Sequence, residues 1–365
     1  MKLRVATFNM ENLFTRPSAM ADGAGSKGQT AIDDHATLNS IVAKDLYSDH
    51  DKAILLDLAK RYGFAAQNPP SNALVLLNKV RGQLYSTSGG TTIVKAKGRG
   101  DWTGWFELRM KDIKWTATFN TGRVVSEISP DILVCVEVES RPTAMRFNEQ
   151  VLRAEFHHEY PHVMVIDGND MRGIDVGILS RYPINGIRSH VDDTNPTGEL
   201  TFSRDCPEYV IQLSDEKSIV VIPNHFKSKR GGDSPDVQAR RLAQASAASA
   251  IAKRAQKISP YVLLAGDLND TPDSATIAPL LMDGFADVMT HPSYPKDRPG
   301  TYDTGTARNK IDYLIMSPAL QGALQQTGIE RRGSYHPNTW KPFDTVKSKA
   351  DEASDHHLVW ADFEI

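Results

Sequence analysis

The segment Leu263–Asp270 reads Leu-Leu-Ala-Gly-Asp-Leu-Asn-Asp, an apolar run that ends in polar side chains. Such a run predicts a buried strand, and sites collect at strand ends and in the loops that follow them. Asp267 and Asn269 are two residues apart, so their side chains point the same way if the strand continues. A carboxylate beside a neutral donor suits a base and its partner, although Asp-x-Asn is also common in turns. The segment alone leaves both interpretations open.

Two earlier apolar runs of the chain end in the same way. Asn9 and Glu11 follow the run Leu3–Phe8, and Glu137 follows five apolar residues. Taking a lone carboxylate out of water is costly, so Glu137 should be paired or bound to a cation. The alternative is a salt bridge to an arginine such as Arg141.

Later runs add histidines, acids and lysines. His225 comes directly after an apolar strand and precedes two lysines, of which Lys227 is the nearer. Lysine and histidine can meet phosphate oxygens, although a lone histidine here is more often a turn residue. Asp312 lies inside a β-rich run, and Asp355 and His356 come directly before the last strand. Each signal is modest, but their conjunction at strand ends predicts a site for acid-base or metal chemistry.

Most of the chain consists of short β-rich runs separated by Gly, Pro, Asn and Asp turns. Strands are predicted at residues 3–8, 132–138, 162–166, 176–179, 218–222, 261–264, 311–316 and 358–363. Helical patterns fall between them at residues 53–62, 143–153 and 236–255. Strands and helices do not alternate in a strict βαβ rhythm, which favours helices outside a β-sandwich over a Rossmann sheet.

Residues 15 to 122 differ from the rest and are predicted to be an insertion after the first strand. Between residues 79 and 123, nine lysines and arginines oppose three acids, a local charge of +6 in a chain of net charge -3. Three of the five tryptophans lie among these cations: Trp102, Trp105 and Trp115. Aromatic rings that stack on bases, beside cations that meet phosphates, would suit a nucleic-acid strand. The alternative is a small hydrophobic core with a solvated basic rim.

Composition excludes several classes of protein. Hydrophobic residues at 40% and charged residues at 24% are ordinary globular values, which argues against a disordered or fibrous chain. No stretch approaches the roughly 18 apolar residues that cross a bilayer, and the first residues do not resemble a signal peptide. Two cysteines are too few for a disulfide framework. A cytoplasmic location is therefore expected.

Taken together, the motifs resemble those of the endonuclease/exonuclease/phosphatase superfamily, which includes deoxyribonuclease I, apurinic endonucleases, inositol-polyphosphate 5-phosphatases and neutral sphingomyelinases. The matching pieces are Thr-Phe-Asn9, Val-Glu137-Val, Asp175-Val-Gly-Ile-Leu-Ser-Arg-Tyr-Pro183, Asn-His225-Phe, Gly-Asp267-Leu-Asn269, Ile-Asp312-Tyr and Ser-Asp355-His356. The resemblance implies a four-layer α/β sandwich like that of deoxyribonuclease I, with two mixed β-sheets packed face to face and helices outside. It also implies one catalytic domain over residues 1–365, with an insertion at about residues 15–122.

The resemblance further implies a divalent cation, Mg²⁺ or Mn²⁺, and a role for each matching residue. Hard oxygen ligands suit these ions, and the implied metal ligands are Asn9, Glu11, Glu137 and Asp355. The implied catalytic residues are His225, Asp267, Asn269, Asp312 and His356. Asp267 would orient or deprotonate the attacking water, and Asn269 would steady a phosphate oxygen. His356, oriented by Asp312, and His225 would stabilise the charge that develops on the phosphate.

Two basic residues, Arg172 and Lys227, are the expected substrate contacts. One possibility is that Arg172 contacts a phosphate while Asp175 holds the Arg172 side chain. The other is that Arg172 and Asp175 form an ordinary surface ion pair. The implied activity is hydrolysis of phosphodiesters by metal-assisted water attack, with nucleic acid as the expected substrate and no stable protein partner.

Other activities remain open on the sequence. A phosphatase or phosphodiesterase that acts on small-molecule or lipid phosphates is the alternative, because the same superfamily contains such enzymes. A binding module without activity is disfavoured, since every implied catalytic position holds a competent residue.

Overall fold

The computed structural model describes residues 1–11, 13, 15–20, 25–66, 70, 72–170, 172–229, 232–295 and 297–365. The chain divides into two units. The larger unit contains Met1–Phe14 and Ile113–Ile365, and the smaller unit contains Thr15–Asp112. Each unit has a buried apolar core of its own.

Two six-stranded sheets form the centre of the larger unit. In spatial order, the first sheet contains β17 (Leu324–Glu330), β18 (Leu358–Glu364), β1 (Lys2–Asn9), β8 (Ile132–Val138), β10 (Asp175–Ser180) and β9 (His162–Ile166). The second sheet contains β11 (Ile184–Arg188), β12 (Glu208–Gln212), β13 (Ser218–His225), β14 (Val262–Asp267), β16 (Asp312–Met316) and β15 (Ala286–Asp287). Both sheets are mixed, because β1 pairs with β8 and β13 pairs with β14 in parallel, whereas the other neighbours are antiparallel.

Helices and short helical turns connect these strands. The helices of the larger unit are α3 (Trp115–Ile128), α4 (Arg141–Phe147), α5 (Ala154–Phe156), α6 (Pro235–Ala255) and α7 (Pro318–Gln321), with a π-helical segment at Asn148–Arg153. Short 3₁₀ turns lie at Ala278–Leu281, Val288–Thr290, Ala307–Asn309 and Lys349–Asp351. Among the described residues, no helix is both long enough and apolar enough to cross a membrane.

Alternate side chains of each strand enter different cores, as the two-residue period of a strand requires. One core lies between the sheets and joins residues of β1, β8 and β10 to residues of β12, β13, β14 and β16. The outer face of the first sheet packs against α3, α4 and the π-helical segment, and the outer face of the second packs against α6. The larger unit is therefore the predicted four-layer α/β sandwich, and the predicted fold class is confirmed.

The predicted strands lie where the structure has strands, but some extend further. The strand predicted at 218–222 continues to His225, and the one predicted at 261–264 runs from Val262 to Asp267. Their polar ends therefore belong to the sheet and not to the loops beyond it. Four strands of these sheets, β11, β12, β15 and β17, were not predicted, because they are short or rich in polar residues.

Within its described residues, the smaller unit contains two helices and three strand pairs. The helices are α1 (Gly25–Val42) and α2 (Asp49–Tyr62), 3₁₀ turns lie at Ser18–Met20 and Arg99–Asp101, and the strand pairs are β2 (Thr15–Pro17) with β7 (Met110–Asp112), β3 (Val75–Gly82) with β6 (Trp102–Leu108), and β4 (Tyr85–Ser88) with β5 (Thr91–Val94). The predicted helix at 53–62 begins earlier because Ser48 and Asp51 form a capping box before it.

The three tryptophans expected to act together have different environments. Trp102 is 2% exposed, and its indole N–H donates to the Tyr47 hydroxyl at 2.9 Å inside the core of the smaller unit. Trp105 is 47% exposed on the other face of β6. Trp115 lies in α3 of the larger unit, since the smaller unit ends at Asp112. For Trp102, the alternative of a small hydrophobic core is the correct one.

Gly266 brings β13 and β14 close together directly before Asp267. Its φ of +136° lies in a region that residues with a side chain rarely adopt, and a Cβ atom there would lie 1.9 Å from the carbonyl oxygen of Asn224. Asn224 is the residue opposite Gly266 in the parallel pair, and His225 is opposite Asp267. Glycine is therefore required at this position for the two polar strand ends to meet.

We predict that Gly266→Ala lowers the free energy of unfolding by about 2 kcal/mol or more, because backbone atoms have to move to admit the methyl group. Urea unfolding followed by circular dichroism measures the change. Gly322→Ala is the control, since a Cβ atom added to Gly322 would meet no neighbouring atom within 4 Å and its backbone is helical. Equal stability of the two variants would contradict the close approach of β13 and β14.

Candidate active site

Strand directions bring the predicted polar residues to one edge of the two sheets. β1 and β8 run parallel, so Asn9 and Glu137 lie at the same edge of the first sheet. β13 and β14 also run parallel, with His225 opposite Asp267, and antiparallel β16 begins there with Asp312 opposite Asp267. The Asn9 side-chain amide donates to Asp267 Oδ2 at 3.3 Å, which joins the two sheets at this edge.

Asp267 occupies the centre of this cluster. Its Oδ2 lies 3.6 Å from His225 Nε2 and 3.9 Å from His356 Nε2, and its Oδ1 accepts the backbone N–H of Asn269 at 2.9 Å. Burial, together with the negative charge of Asp312, raises the pKa of Asp267 to about 7. A carboxylate with this pKa can accept a proton near neutral pH.

His356 and Asp312 form a hydrogen-bonded pair beside Asp267. His356 Nδ1 lies 2.9 Å from Asp312 Oδ2. Burial opposes the charged form of His356, but the charges of Asp312, Asp267 and Asp355 outweigh it and raise the pKa of His356 well above its ordinary value. His356 is therefore an imidazolium whose Nε2–H points towards Asp267 Oδ2, 3.9 Å away.

Thr301 holds Asp312 and was not found from the sequence. Its hydroxyl donates to Asp312 Oδ2 at 2.7 Å and accepts the backbone N–H of Asp312 at 2.9 Å. The side chain is fully buried. Thr301 lies in a loop, and no pattern in its neighbourhood marks it, so only the fold reveals that it orients Asp312.

His225 contacts both Asp267 and Glu137. Its Nε2 lies 3.8 Å from Glu137 Oε1, in addition to the contact with Asp267. Burial lowers the pKa of His225 well below its ordinary value, and the positive charges of Arg204 and Arg172 add to the effect. The imidazole is therefore neutral, unlike that of His356, so the two histidines can play different parts.

Three of the predicted residues have left-handed backbones. The φ angles of Glu11, Glu137 and Asn269 are +50°, +59° and +53°. Such conformations cost about 1–3 kcal/mol at residues other than glycine and cluster at functional sites. Glu11 donates its backbone N–H to Asn9 Oδ1 at 3.1 Å, so the predicted ligands Asn9 and Glu11 are held next to each other.

Glu137 has the surroundings of a metal ligand. The predicted alternative, a salt bridge to Arg141, does not form, because the Arg141 guanidinium donates to the carbonyl of Val163. Burial raises the pKa of Glu137, and its ion-pair partner within the described residues is the neutral His225. A partly buried carboxylate at the same sheet edge as Asn9, with no arginine or lysine paired to it among the described residues, fits a divalent cation that prefers oxygen ligands.

A second group of side chains also has metal-ligand spacing. Potential ligand atoms of Asp267, Asp312 and His356 lie within 4.8 Å of one another. However, Asp312 Oδ2 already contacts His356 and Thr301, and a protonated imidazole has no lone pair to offer a metal. The surroundings of Glu137 therefore suit a cation better than the group of Asp267, Asp312 and His356 does.

The expected partner of Arg172 was wrong. Arg172 binds Asp170 with two hydrogen bonds, Nε to Oδ1 at 2.8 Å and Nη2 to Oδ2 at 2.6 Å. Asp175, the predicted partner, instead accepts the backbone N–H of Gly168, and burial raises its pKa to about 7. Asp170, two residues before Arg172, is the partner because the chain turns there, with the backbone N–H of Gly173 donating to the Asp170 carbonyl.

The structure separates the two lysines that follow His225. The ammonium of Lys229 pairs with Asp270 at 2.5 Å. Lys227 is half-buried, its backbone is fixed by Gln244 and Arg241, and no described residue accepts a hydrogen bond from its ammonium. Lys227 is thus the lysine that is free to contact a substrate.

The match to a family model identifies the class of protein that this fold and cluster define. The model of the Endonuclease/Exonuclease/phosphatase family matches residues 117–356. This match covers more than half of the chain, which therefore belongs to that family. The family consists of metal-dependent hydrolases that act on phosphoester bonds, and the chain is an enzyme of this kind.

Several solved structures are similar to this chain. One is truncated TDP2 from Caenorhabditis elegans, with 18% identity and a TM-score of 0.47 over 68% of this chain and 90% of that one. Another is an endonuclease/exonuclease/phosphatase family protein from Bacteroides thetaiotaomicron, with 15% identity and a TM-score of 0.49 over 69% of this chain and 90% of that one. A search of curated proteins gave no match.

We predict that Thr301→Val lowers kcat roughly tenfold to a hundredfold, the range typical when a buried partner that orients an active-site histidine network is removed. Hydrolysis of bis-p-nitrophenyl phosphate measures the effect. Thr327→Val is the control, because this buried hydroxyl donates to the Trp360 carbonyl within the first sheet and does not contact Asp312. Equal losses of kcat in both variants would show that the effect is general and not transmitted through Asp312.

Proposed function

We propose that this chain is a divalent-metal-dependent phosphodiesterase that hydrolyses nucleic acid. The observation that carries the proposal is the position of buried Asp267, whose Oδ2 lies 3.6 Å from His225 Nε2 and 3.9 Å from His356 Nε2, where burial raises the pKa of the carboxyl. A base, a neutral donor and a charged donor at one point are what water attack on a phosphodiester requires.

Glu137 and Asn9 would hold Mg²⁺ or Mn²⁺, with Glu11 and Asp355 as further ligands. When bound there, the cation supplies a Lewis acid that polarises the phosphate and offsets the charge of the leaving oxygen. The four acids Glu137, Asp267, Asp312 and Asp355 lie around one histidinium, so the cluster as a whole favours an added cation.

Asp267 orients the attacking water and takes its proton as the water oxygen bonds to phosphorus and the ester bond breaks. Asn269 is fixed by its amide hydrogen bond to the Phe226 carbonyl at 3.1 Å, and its second amide hydrogen is available to a phosphate oxygen. His356, held by Asp312, donates from Nε2 to another phosphate oxygen. His225 contacts the phosphate from the opposite side.

The surface of the smaller unit supports nucleic acid as the substrate. Arg81 is exposed on β3 opposite Thr103, which shares a face of the paired strand β6 with exposed Trp105, and exposed Lys79 lies two residues before Arg81. Cations that meet phosphates and a ring that can stack on bases are the elements of single-strand binding. Buried Trp102 does not take part, so this surface is smaller than the sequence suggests.

We predict that EDTA abolishes hydrolysis of bis-p-nitrophenyl phosphate and that Mg²⁺ or Mn²⁺ restores it. Glu137→Gln should raise the metal concentration needed for half-maximal activity about tenfold or more, because a charged hard ligand is replaced by a neutral one. Exposed Glu155→Gln is the matched control. Full activity in EDTA would refute the metal requirement.

We also predict that neutralising Lys79 and Arg81 together weakens oligonucleotide binding and flattens its dependence on salt. Each lost phosphate contact should reduce the slope of log affinity against log salt by about 0.7 on single strands. Oligonucleotide cleavage should fall more than hydrolysis of bis-p-nitrophenyl phosphate. The control replaces two exposed lysines of the larger unit, Lys217 and Lys257, with glutamine. An unchanged salt slope in the Lys79 and Arg81 variant would favour small-molecule or lipid phosphates instead.

A further inference from the structure

Asp170 is shared by two arginines near the catalytic cluster. Arg172 donates to Asp170 from Nε and Nη2, and Arg204 Nη2 lies 2.9 Å from Asp170 Oδ2. The pKa of Asp170 falls to about 2 because, although burial opposes its charge, the two arginines outweigh it. Asp170 is thus a single carboxylate that pairs with two guanidinium groups, and the more distant charges of Glu137 and Asp267 also act on Arg204.

Lys227 adds a third positive charge to this group. Lys227 directly follows Phe226, whose carbonyl accepts a hydrogen bond from Arg204 Nη1 at 3.5 Å. Burial lowers the pKa of Lys227, and the positive charges of Arg172, Arg204 and Arg240 lower it further. Asp170 partly opposes the effect. Three cations therefore belong to this group, and among the described residues Asp170 is the carboxylate that pairs directly with two of them.

The group adjoins the catalytic residues. The carbonyl of Phe226 accepts hydrogen bonds from Asn269 Nδ2 at 3.1 Å and from Arg204 Nη1 at 3.5 Å. Lys227 is the residue that follows Phe226. Arg204, only 2% exposed, therefore lies behind Asn269, and no sequence pattern marked it as part of a site.

Several donors of this group have no acceptor within the part of the chain that the structure describes. Arg204 Nε is buried without a partner. Both hydrogen bonds of the Arg172 side chain go to Asp170 from Nε and Nη2, which leaves Nη1 available. The Lys227 ammonium is likewise available. Burying a charged donor without an acceptor is costly, so an anion near this group would stabilise it.

A phosphate is the anion that fits. A guanidinium presents paired donors that match phosphate oxygens, and a lysine adds a point charge. The phosphate under attack already has partners in the proposed function, namely His225, Asn269 and His356. Arg172, Arg204 and Lys227 lie beside these partners. Three further cations exceed what a single phosphate requires.

We propose that Arg172 and Lys227, with the buried charge of Arg204 behind them, bind a second phosphate of the substrate, next to the one that is hydrolysed. This inference rests on the proposed function and narrows its substrate class. The preferred substrates carry phosphates at neighbouring positions, as nucleotide chains and nucleoside bisphosphates do. A diester flanked by uncharged groups fills only the catalytic subsite.

Matched chromogenic substrates test the second phosphate site. One pair is the 4-nitrophenyl ester of thymidine 5′-phosphate with a 3′-hydroxyl or a 3′-phosphate. The other pair is the 4-nitrophenyl ester of thymidine 3′-phosphate with a 5′-hydroxyl or a 5′-phosphate. In at least one pair, the extra phosphate should raise kcat/KM about tenfold or more, mainly through KM, since hydrogen bonds between charged groups are worth at least this factor.

The outcomes separate the two proposals. Hydrolysis of all four compounds without any preference for the extra phosphate overturns the second site and leaves the phosphodiesterase activity standing. No hydrolysis of any of them with Mg²⁺ or Mn²⁺ overturns the proposed function, and the inference with it.

Variants locate the site. The preference is the ratio of kcat/KM with the extra phosphate to kcat/KM without it. Arg172→Gln and Arg204→Lys should each reduce this ratio towards one. Lys229→Gln, a change of the same charge in the loop after His225, should keep it, because that ammonium is already paired with Asp270. If Arg204→Lys does not fold, Arg172→Gln still tests the proposal, because the Arg172 side chain is partly exposed. A full preference in Arg172→Gln overturns the proposal.

Binding without turnover provides an independent measurement. In EDTA, thymidine 3′,5′-bisphosphate should raise the melting temperature of the wild-type protein and of Lys229→Gln, because the ligand binds only the folded state. The same compound should raise the melting temperature of Arg172→Gln much less. Equal shifts in all three proteins would overturn the assignment of Arg172.

Discussion

The parallel pairing of β13 with β14 is the constraint on which the rest of the site depends. It places His225 opposite Asp267 and is possible at this distance because Gly266 has no side chain. Asp267 is then buried beside Asn9 of the other sheet, so the charge of one carboxylate has to be balanced by groups from both sheets. Its raised pKa is a direct consequence of that burial.

Charge is distributed unevenly around Asp267. Asp312 and Asp355 act on His356, whereas the guanidinium groups of Arg172 and Arg204, in the group behind Asn269, act on His225 and Glu137. An uneven distribution of this kind suits a substrate complex in which a cation and an anion bind side by side. It also explains why the two histidines differ: His356 is surrounded by acids and is charged, while His225 is buried near arginines and is neutral.

Signals within a few residues of each other predicted the framework of the site. Apolar runs gave the strands, and every predicted catalytic residue lies in, directly before or just after one of these strands. Partners that come from elsewhere in the chain were not predictable, because Thr301, Arg204 and the Asp270 partner of Lys229 are marked only by contacts in the fold. Alternate residues of a strand lie on opposite faces, so the sequence of β6 places Trp102, Phe106 and Leu108 on one face and Trp105 on the other. This pattern would have separated Trp102 from Trp105.

The central claim is that Glu137 and Asn9 bind the divalent cation while Asp267 and the Asp312–His356 pair remain free to handle protons. A crystal structure with Mn²⁺, read by its anomalous scattering, tests this most directly. The account predicts an anomalous peak within about 2.0–2.6 Å of the Glu137 carboxylate and the Asn9 amide oxygen, the range of hard-cation ligand distances. A peak among Asp267, Asp312 and His356, with none at Glu137, would contradict it.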